Sequence, residues 1–491
     1  MESAVVVVSG YDPSYLKIFE HQVRTERAAG REVIVLDITP LEATPVDSYH
    51  RGVLRAFHIP YPGHDIAERM TGVGARYVRA DTLLGHDDAR PLEAQLEVSL
   101  EIAVESALIT YYRTDRPDRS KRSVGRTARG LEREGRVVYR SIRSLIAAEP
   151  DLAVAYVPNG RFPHQKLATL AFADSEVPTK HVEKGEGPDR AYVQDYAPQD
   201  RLKSQASVDA VLGNLSAERI DEIADAWLAR RAPARDSHNQ FSTLWAEGLP
   251  AAIADAKRAG ARLAGFFTSS QDEFQFLGPE WHLHTWEGQF EAFDQILTRL
   301  EGEGFTCYLR VHPNLATKAQ DCFIRERNGV RWLAERHPDL LVIWHDDQAN
   351  TYSLLEASDT VVVWYSTVGL EASARGLPVW SAAASRYGLI ADTRELLTPS
   401  DLDSIGSGTW DVDSHRAKRF IAYLVERDQA IGDTAAWTSW NSSNPPLGVR
   451  LAAVPVSGGT PGVSAAILSL FDVYRHRRPS ANLRYLGLRR S

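Results

Sequence analysis

Short apolar runs that alternate with helix-length stretches constrain this chain more than any other feature. Ala4–Ser9 is a run of valines that ends at Gly10-Tyr11-Asp12-Pro13. A helical pattern follows over Ser14–Ala29, Gly30 stops it, and Glu32–Ile38 is apolar again. A strand, a crossover helix and a second strand predict a parallel sheet covered on both faces. Ligands of such sheets collect at the carboxyl ends of the strands.

The pattern continues in two blocks. Residues 94–112 keep apolar positions at helical spacing, Leu152–Val157 reads as a buried strand, Pro163–Ala173 as a helix and Thr179–Val182 as a strand. Residues 229–250, rich in Pro, small and charged residues, read as a passage between domains. The second block predicts strands at Arg262–Phe267, Thr306–Val311, Leu340–Trp344, Thr360–Trp364 and Pro378–Trp380. Helices are expected at Ala251–Ala259, Trp286–Glu301, Cys322–Arg336, Tyr352–Ala357 and Thr367–Arg375. At 491 residues the chain also exceeds what one core usually serves. The expected architecture is α/β, with two Rossmann-like domains facing a central cleft. Residues 1–245 form the first domain, 246–455 the second, and 456–491 a C-terminal helix and basic tail.

Charge and composition exclude several classes. A net charge of -9 argues against a general nucleic-acid binder. The run Val5–Val8 follows Glu2 and lacks a basic flank, so it reads as a strand and not as a secretion signal. No apolar stretch is long enough to span a bilayer. Cys307 and Cys322 lack the spacing of a disulfide framework or a zinc site, which fits a reducing cytoplasm. Between Arg113 and Arg143 eleven Lys and Arg stand against four acids. That stretch is either a solvated, arginine-biased surface or a face for an anionic acceptor or membrane.

Candidate chemistry gathers at the strand ends. The run Phe305–Leu309 leads into Arg310-Val311-His312-Pro313-Asn314, a charged corner locked by proline. The segment VVVWYSTVGLEASARGLPVW, 361–380, ends a strand at Trp364, places Ser366 and Thr367 at a helix cap, and follows with Gly369 and Glu371. Such a cap offers amides and hydroxyls to a phosphate, or is plain structural capping. Parallel strands would bring Arg310 and His312 to the same edge as that cap. Gly369 would let backbone approach a ligand, and Glu371 stands where it could accept hydrogen bonds from a ribose.

After the first strand of the second block comes TSSQDEF, 268–274. Ser269 and Ser270 could bind a nucleotide and Asp272 or Glu273 could act as general base, or the stretch is a Ser-capped helix start. Glu183 and Asp12 are rival bases. Asn159, Arg161 and Glu183 lie at strand ends in the first block. His282 and His284 lack a carboxylate at ligand spacing, and the DxD strings at 401–403 and 411–413 read as caps or turns, so no metal site is expected.

RVHPN together with YSLLEASDTVVVWYSTVGLEASARGLPV resembles the capsule polysaccharide biosynthesis proteins, which are similar to GT-B glycosyltransferases. The His-Pro and Ser-Thr pairs also resemble two short motifs of bacterial sialyltransferases. The likeness covers about 262–390 and touches 152–185 at YVPNGRF and VEKGE. It departs at Asp272-Glu273, which precedes Phe274 where the sialyltransferases have glycine, and it lacks a Glu-x7-Glu pattern after Glu371.

The resemblance implies a cytoplasmic, metal-independent glycosyltransferase that carries a sugar from a nucleotide-sugar to a surface polysaccharide or its lipid-linked precursor, and it leaves room for peripheral association with the inner membrane face. The nucleotide-sugar is a substrate, and no cofactor is implied. His312, Ser366 and Thr367 would hold the donor phosphate and Glu371 the nucleoside; Ser269, Ser270, Arg310, Asn314 and Gly369 complete the donor side. Asp272, Glu273 and His312 would be catalytic, and Asn159, Arg161 and Glu183 would face the acceptor. Transfer of a polyol phosphate from a CDP-alcohol, as in teichoic-acid polymerases, and a catalytically silent nucleotide-binding subunit are the alternatives.

Overall fold

The computed structural model describes residues 2–9, 13–38, 66–84, 91–187, 190–231, 248–270, 275–347 and 349–431. They form two compact units. Of the described residues, the first takes those up to Tyr112, Arg116–Asp200 and Arg427–Ile431; the second takes Arg113–Asp115 and those between Arg201 and Glu426.

In the first unit the strands are β1 (Ser3–Val8), β2 (Glu32–Asp37), β3 (Arg76–Arg79), β4 (Leu152–Pro158), β5 (Thr179–Lys184) and β6 (Arg190–Gln194). The two-residue β13 (Gln429–Ala430) joins the same sheet, in the order β13-β6-β5-β4-β1-β2-β3. Strands β3, β2, β1, β4 and β5 run parallel; at one edge β6 pairs antiparallel with β5 and β13 antiparallel with β6, so that β13 again follows the direction of the parallel strands. The valines of β1 show why the sheet is doubly covered. Val6 and Val8 pack with Leu16, Phe19 and Val23 of the helix Pro13–Ala28, while Val5 and Val7 pack on the opposite face with Val138, Ile142, Ala168 and Phe172. From Arg122 onward the basic stretch folds as the long helix Arg122–Ala148.

The second unit holds β7 (Arg262–Phe267), β8 (Phe305–Arg310), β9 (Leu341–Ile343), β10 (Thr360–Val363), β11 (Val379–Ser381) and β12 (Arg394–Glu395). Their order is β12-β11-β10-β7-β8-β9, and every neighbouring pair is parallel. Phe266, Cys307 and Leu309 face Phe293, Ile296 and Leu297 of the helix Gln289–Gly302. Leu263, Phe267 and Tyr308 face Leu354 and Leu355 of the helix Thr351–Ala357 on the other side.

The chain is therefore α/β with two Rossmann-like sheets, as the alternation predicts. One detail differs from the sequence expectation. Residues 217–231, which fall within the range 1–245 expected for the first domain, form the helix Ala217–Arg231 of the second unit, where Ile223, Ala224 and Trp227 are buried against Phe420 and Ile421 of the helix Ser414–Glu426. The expected boundary at 245 and the tail 456–491 lie outside the described residues.

Candidate functional site

Three corners meet at one edge of the second sheet. Strands β10, β7 and β8 are adjacent and parallel, so the segments that leave their carboxyl ends emerge together. Side chains of the first corner tie the other two. Thr268 Oγ1 accepts the His312 N–H at 2.8 Å, and Ser269 Oγ accepts the Tyr365 N–H at 3.2 Å. Asn314 Nδ2 donates to Ser270 Oγ at 3.4 Å, and Asn314 Oδ1 accepts from Arg113 Nη2 at 3.0 Å. Beneath them the buried Gln289 amide brackets Ser269, accepting its N–H at 3.0 Å and donating to its carbonyl at 3.3 Å, and also donates to Glu326 at 2.9 Å.

His312 caps the short turn Pro313–Thr317, and its Nδ1 accepts the Asn314 N–H at 3.0 Å. That bond fixes the neutral ring as the tautomer with its proton on Nε2. The imidazole lines a small hollow with Thr268, Ser269, Ser270, Lys318 and Glu326. Lys318 and Glu326, together with Gln289, escaped the sequence reading; only the helix onset at 320 hints that Glu326 turns toward the same edge.

Arg310 does not reach this rim. The residue is only 2% exposed, and its guanidinium donates to the carbonyls of Trp344 and Asp347 at the end of β9. Burial pushes its pKa down to about 10, opposed by Asp347 and Asp346. It holds the end of β8 against β9 and presents no free fork to a ligand.

The third corner is also partly structural. Ser366 Oγ accepts the Val368 N–H at 3.2 Å, Thr367 is exposed, and the helix Val368–Ser373 behind them is short. Tyr387 donates its hydroxyl to the Ser366 carbonyl at 2.7 Å. A Cβ on Gly369 would strike that phenol oxygen and approach Val363 Cγ2 to 3.0 Å, so the missing side chain makes room for Tyr387. Glu371 is buried and ion-paired with Arg231 at 3.3 Å, beside Tyr352. Burial raises its pKa against the pull of Arg231 and Tyr352, and Arg231 stacks on Trp227 at 4.3 Å. Glu371 thus anchors its helix and is not placed to touch a nucleoside.

In the first unit Asn159 and Glu183 come together at the carboxyl ends of β4 and β5. Glu183 accepts from the Asn159 amide, the Tyr15 hydroxyl and, at 2.8 Å, the Lys184 N–H. Asn159 sits in the left-handed region at φ 52° and accepts from Gln199 at 2.8 Å and from the Arg161 N–H at 3.2 Å. Arg161 itself turns to Ser106 through Nε. Tyr15 and Gln199 were not expected here, since each enters from another element. Nearby, Ser9 Oγ lies 3.3 Å from Nε2 of the buried His164.

Asp272, Glu273 and Asp12 lie outside the described residues. His284 is bonded to Trp286 O and Tyr365 Oη, and Asp401 caps the turn Pro399–Ile405. Among the described residues no group of three His, Cys, Asp or Glu is arranged to hold a metal ion. None of the described helices is long and apolar enough to cross a membrane.

No protein-family model and no curated protein matches the chain. Solved structures that resemble it include the KpsC β-Kdo 2,4 transferase of Thermosulfurimonas dismutans, 16% identical over 55% of this chain and 79% of that one, with a TM-score of 0.37. A putative UDP-N-acetylglucosamine 2-epimerase of Listeria monocytogenes is 13% identical over 97% of this chain and 98% of its own, with a TM-score of 0.27. A glycosyltransferase of Rickettsia africae is 9% identical over 97% and 99%, with a TM-score of 0.27. At such identities and TM-scores these likenesses carry no inference about what this chain binds or transforms.

Proposed function

We propose that this chain is a glycosyltransferase that takes a nucleotide-sugar donor and elongates a surface polysaccharide or its lipid-linked precursor. The observation that carries the reading is the meeting of the 268–270, 312–314 and 365–367 corners at one sheet edge, tied by Thr268 and Ser269. It is supported by the resemblance of RVHPN and the Ser366-Thr367 segment to capsule polysaccharide enzymes.

In this reading the acceptor hydroxyl attacks the anomeric carbon as the bond from that carbon to the phosphate oxygen breaks. The nucleotide leaves with the bonding pair. His312 meets the growing negative charge through its Nε2–H, and Ser366 and Thr367 add hydroxyls. The acceptor proton passes to a carboxylate, Asp272 or Glu273, with Glu183 as the rival. Ser269, Ser270 and Asn314 shape the donor side, and Asn159 and Arg161 attend the acceptor. Arg310, Gly369 and Glu371 act by holding strand and helix in place.

The test is a thermal-shift screen of CMP, CDP, UDP, GDP and their sugars, followed by transfer assays with the donor that binds. One nucleotide class should raise the melting temperature, because a ligand that binds only the native state stabilises it. The rise should vanish in His312→Ala. Absence of any shift would reject the reading. A response to CDP-glycerol with polyol phosphate transfer, or nucleotide binding with neither hydrolysis nor transfer, would replace it with one of the alternatives.

A further inference from the structure

The helix Arg122–Ala148 buries one face and arms the other. Val124, Ala128, Leu131, Val138, Ile142 and Leu145 are buried, whereas Arg122, Arg126, Arg129 and Arg133 recur at intervals of four, three and four residues and are all exposed. From first to last they extend about 16 Å along the axis. Other cations of this stretch are spoken for: Arg119 pairs with Glu105 and Glu132, Arg136 with Glu97, and Arg143 bonds to Asp174 O and Ser175. Among the described residues Arg122, Arg126 and Arg129 have no carboxylate partner.

Helix stability does not explain this placement. The first turn contains no acid and begins at Lys121-Arg122, so its cations oppose the positive end of the helix dipole. That cost falls on Lys121 and Arg122 in the first turn, and the row of exposed guanidinia that continues from them suits an anionic ligand.

We propose that the stripe is a docking rail for a linear anionic glycan, a polymer whose carboxylate or phosphate groups repeat along its length. Each guanidinium is a planar fork that grips such groups with two hydrogen bonds. The row is one residue wide and carries no large exposed apolar side chain; Gly125 and Gly130 flank its middle. A membrane surface would be better served by a broad patch with apolar side chains to insert. The exposed Val98 and Ile102 belong to the helix Ala94–Tyr112, where exposed Glu101 adjoins Ile102. The inference rests on the proposed function only for what the glycan is used for, as the acceptor of transfer.

The experiment measures binding of heparin fragments, neutral dextran and phosphatidylglycerol vesicles to the full chain, with no donor present. Three proteins are compared: wild type, the triple variant Arg122→Glu, Arg126→Glu, Arg129→Glu, and a control triple Arg24→Glu, Arg219→Glu, Arg258→Glu of equal charge. The control arginines are exposed and locally paired. Heparin should bind wild type with an affinity that falls with salt, about tenfold or more weaker in the stripe triple and little changed in the control. Dextran should not bind. Equal losses in both triples, an unchanged stripe triple, or vesicle binding without heparin binding would overturn the proposal. If charge reversal lowers the melting temperature, the corresponding Arg→Gln triple gives the same readout. Because the assay contains no nucleotide, loss of transfer activity and loss of the rail are read separately.

Discussion

An imidazole whose Nδ1 is committed to a backbone amide delivers its Nε2–H in one fixed direction, and His312 has that arrangement. Replacing His312 with Ala should lower kcat by about a hundredfold or more, while the unfolding midpoint shifts little; unchanged turnover in a transfer assay would remove it from the chemistry. Glu371 behaves in the opposite way. Glu371→Ala removes the carboxylate that faces the half-buried Arg231 and should cost roughly 2–4 kcal/mol by denaturant unfolding, with the KM for donor in the surviving folded protein close to wild type. The sequence showed the acid one turn inside a helix beside a phosphate-like corner, which is why it read as a ligand contact. Its partner comes from Ala217–Arg231, a helix with no sequence signal of where it docks. His312 was legible because proline, asparagine and a strand end surround it; Lys318 and Glu326 were not, since each sits in an ordinary polar stretch.

Elements whose stability is local lend themselves to single tests. Asn350 accepts the Tyr352 and Ser353 N–H groups at 2.8 and 3.3 Å and so opens the helix Thr351–Ala357. Asn350→Ala should cost about 1 kcal/mol by chemical denaturation. Gly369→Ala has to displace Tyr387 or strain the corner, and a loss of about 1–3 kcal/mol is expected, visible as a lower melting temperature; a neutral result would mean that Tyr387 moves freely. The long strands and their crossover helices were readable because valine runs and helical periods leave little choice. β3, β6, β12 and β13 were missed because two to five residues carry no period, and their pairing partners are set by tertiary contact.

Across the molecule, two buried groups of the first unit titrate against each other. Burial holds the His164 imidazole down at about 4, and it pushes the Asp428 carboxyl up to about 6, opposed by the Glu186 N–H, Arg427 and Arg190. Unfolded His and Asp titrate near roughly 6.5 and 3.9. As pH falls between those limits the unfolded histidine takes a proton that the folded one refuses, which removes stability. Folded Asp428 takes a proton that its unfolded counterpart does not yet hold, which adds stability. Asp428→Asn deletes only the second effect, so its melting temperature should fall more steeply than that of wild type from pH 6.5 to 4.5, by the equivalent of about 1–3 kcal/mol. Parallel profiles for the two proteins would contradict the assignment.

The edge strand Gln429–Ala430, with Ile431 in the core beside it, comes back to the first sheet after the chain has built all of the second. Neither half is therefore a cassette. A graft that exchanged residues 1–200 with a homologue would leave the host's own closing strand bound to a foreign edge, and an isolated N-terminal fragment would lack that strand altogether. Engineering of this scaffold has to move two separate stretches of sequence as one piece.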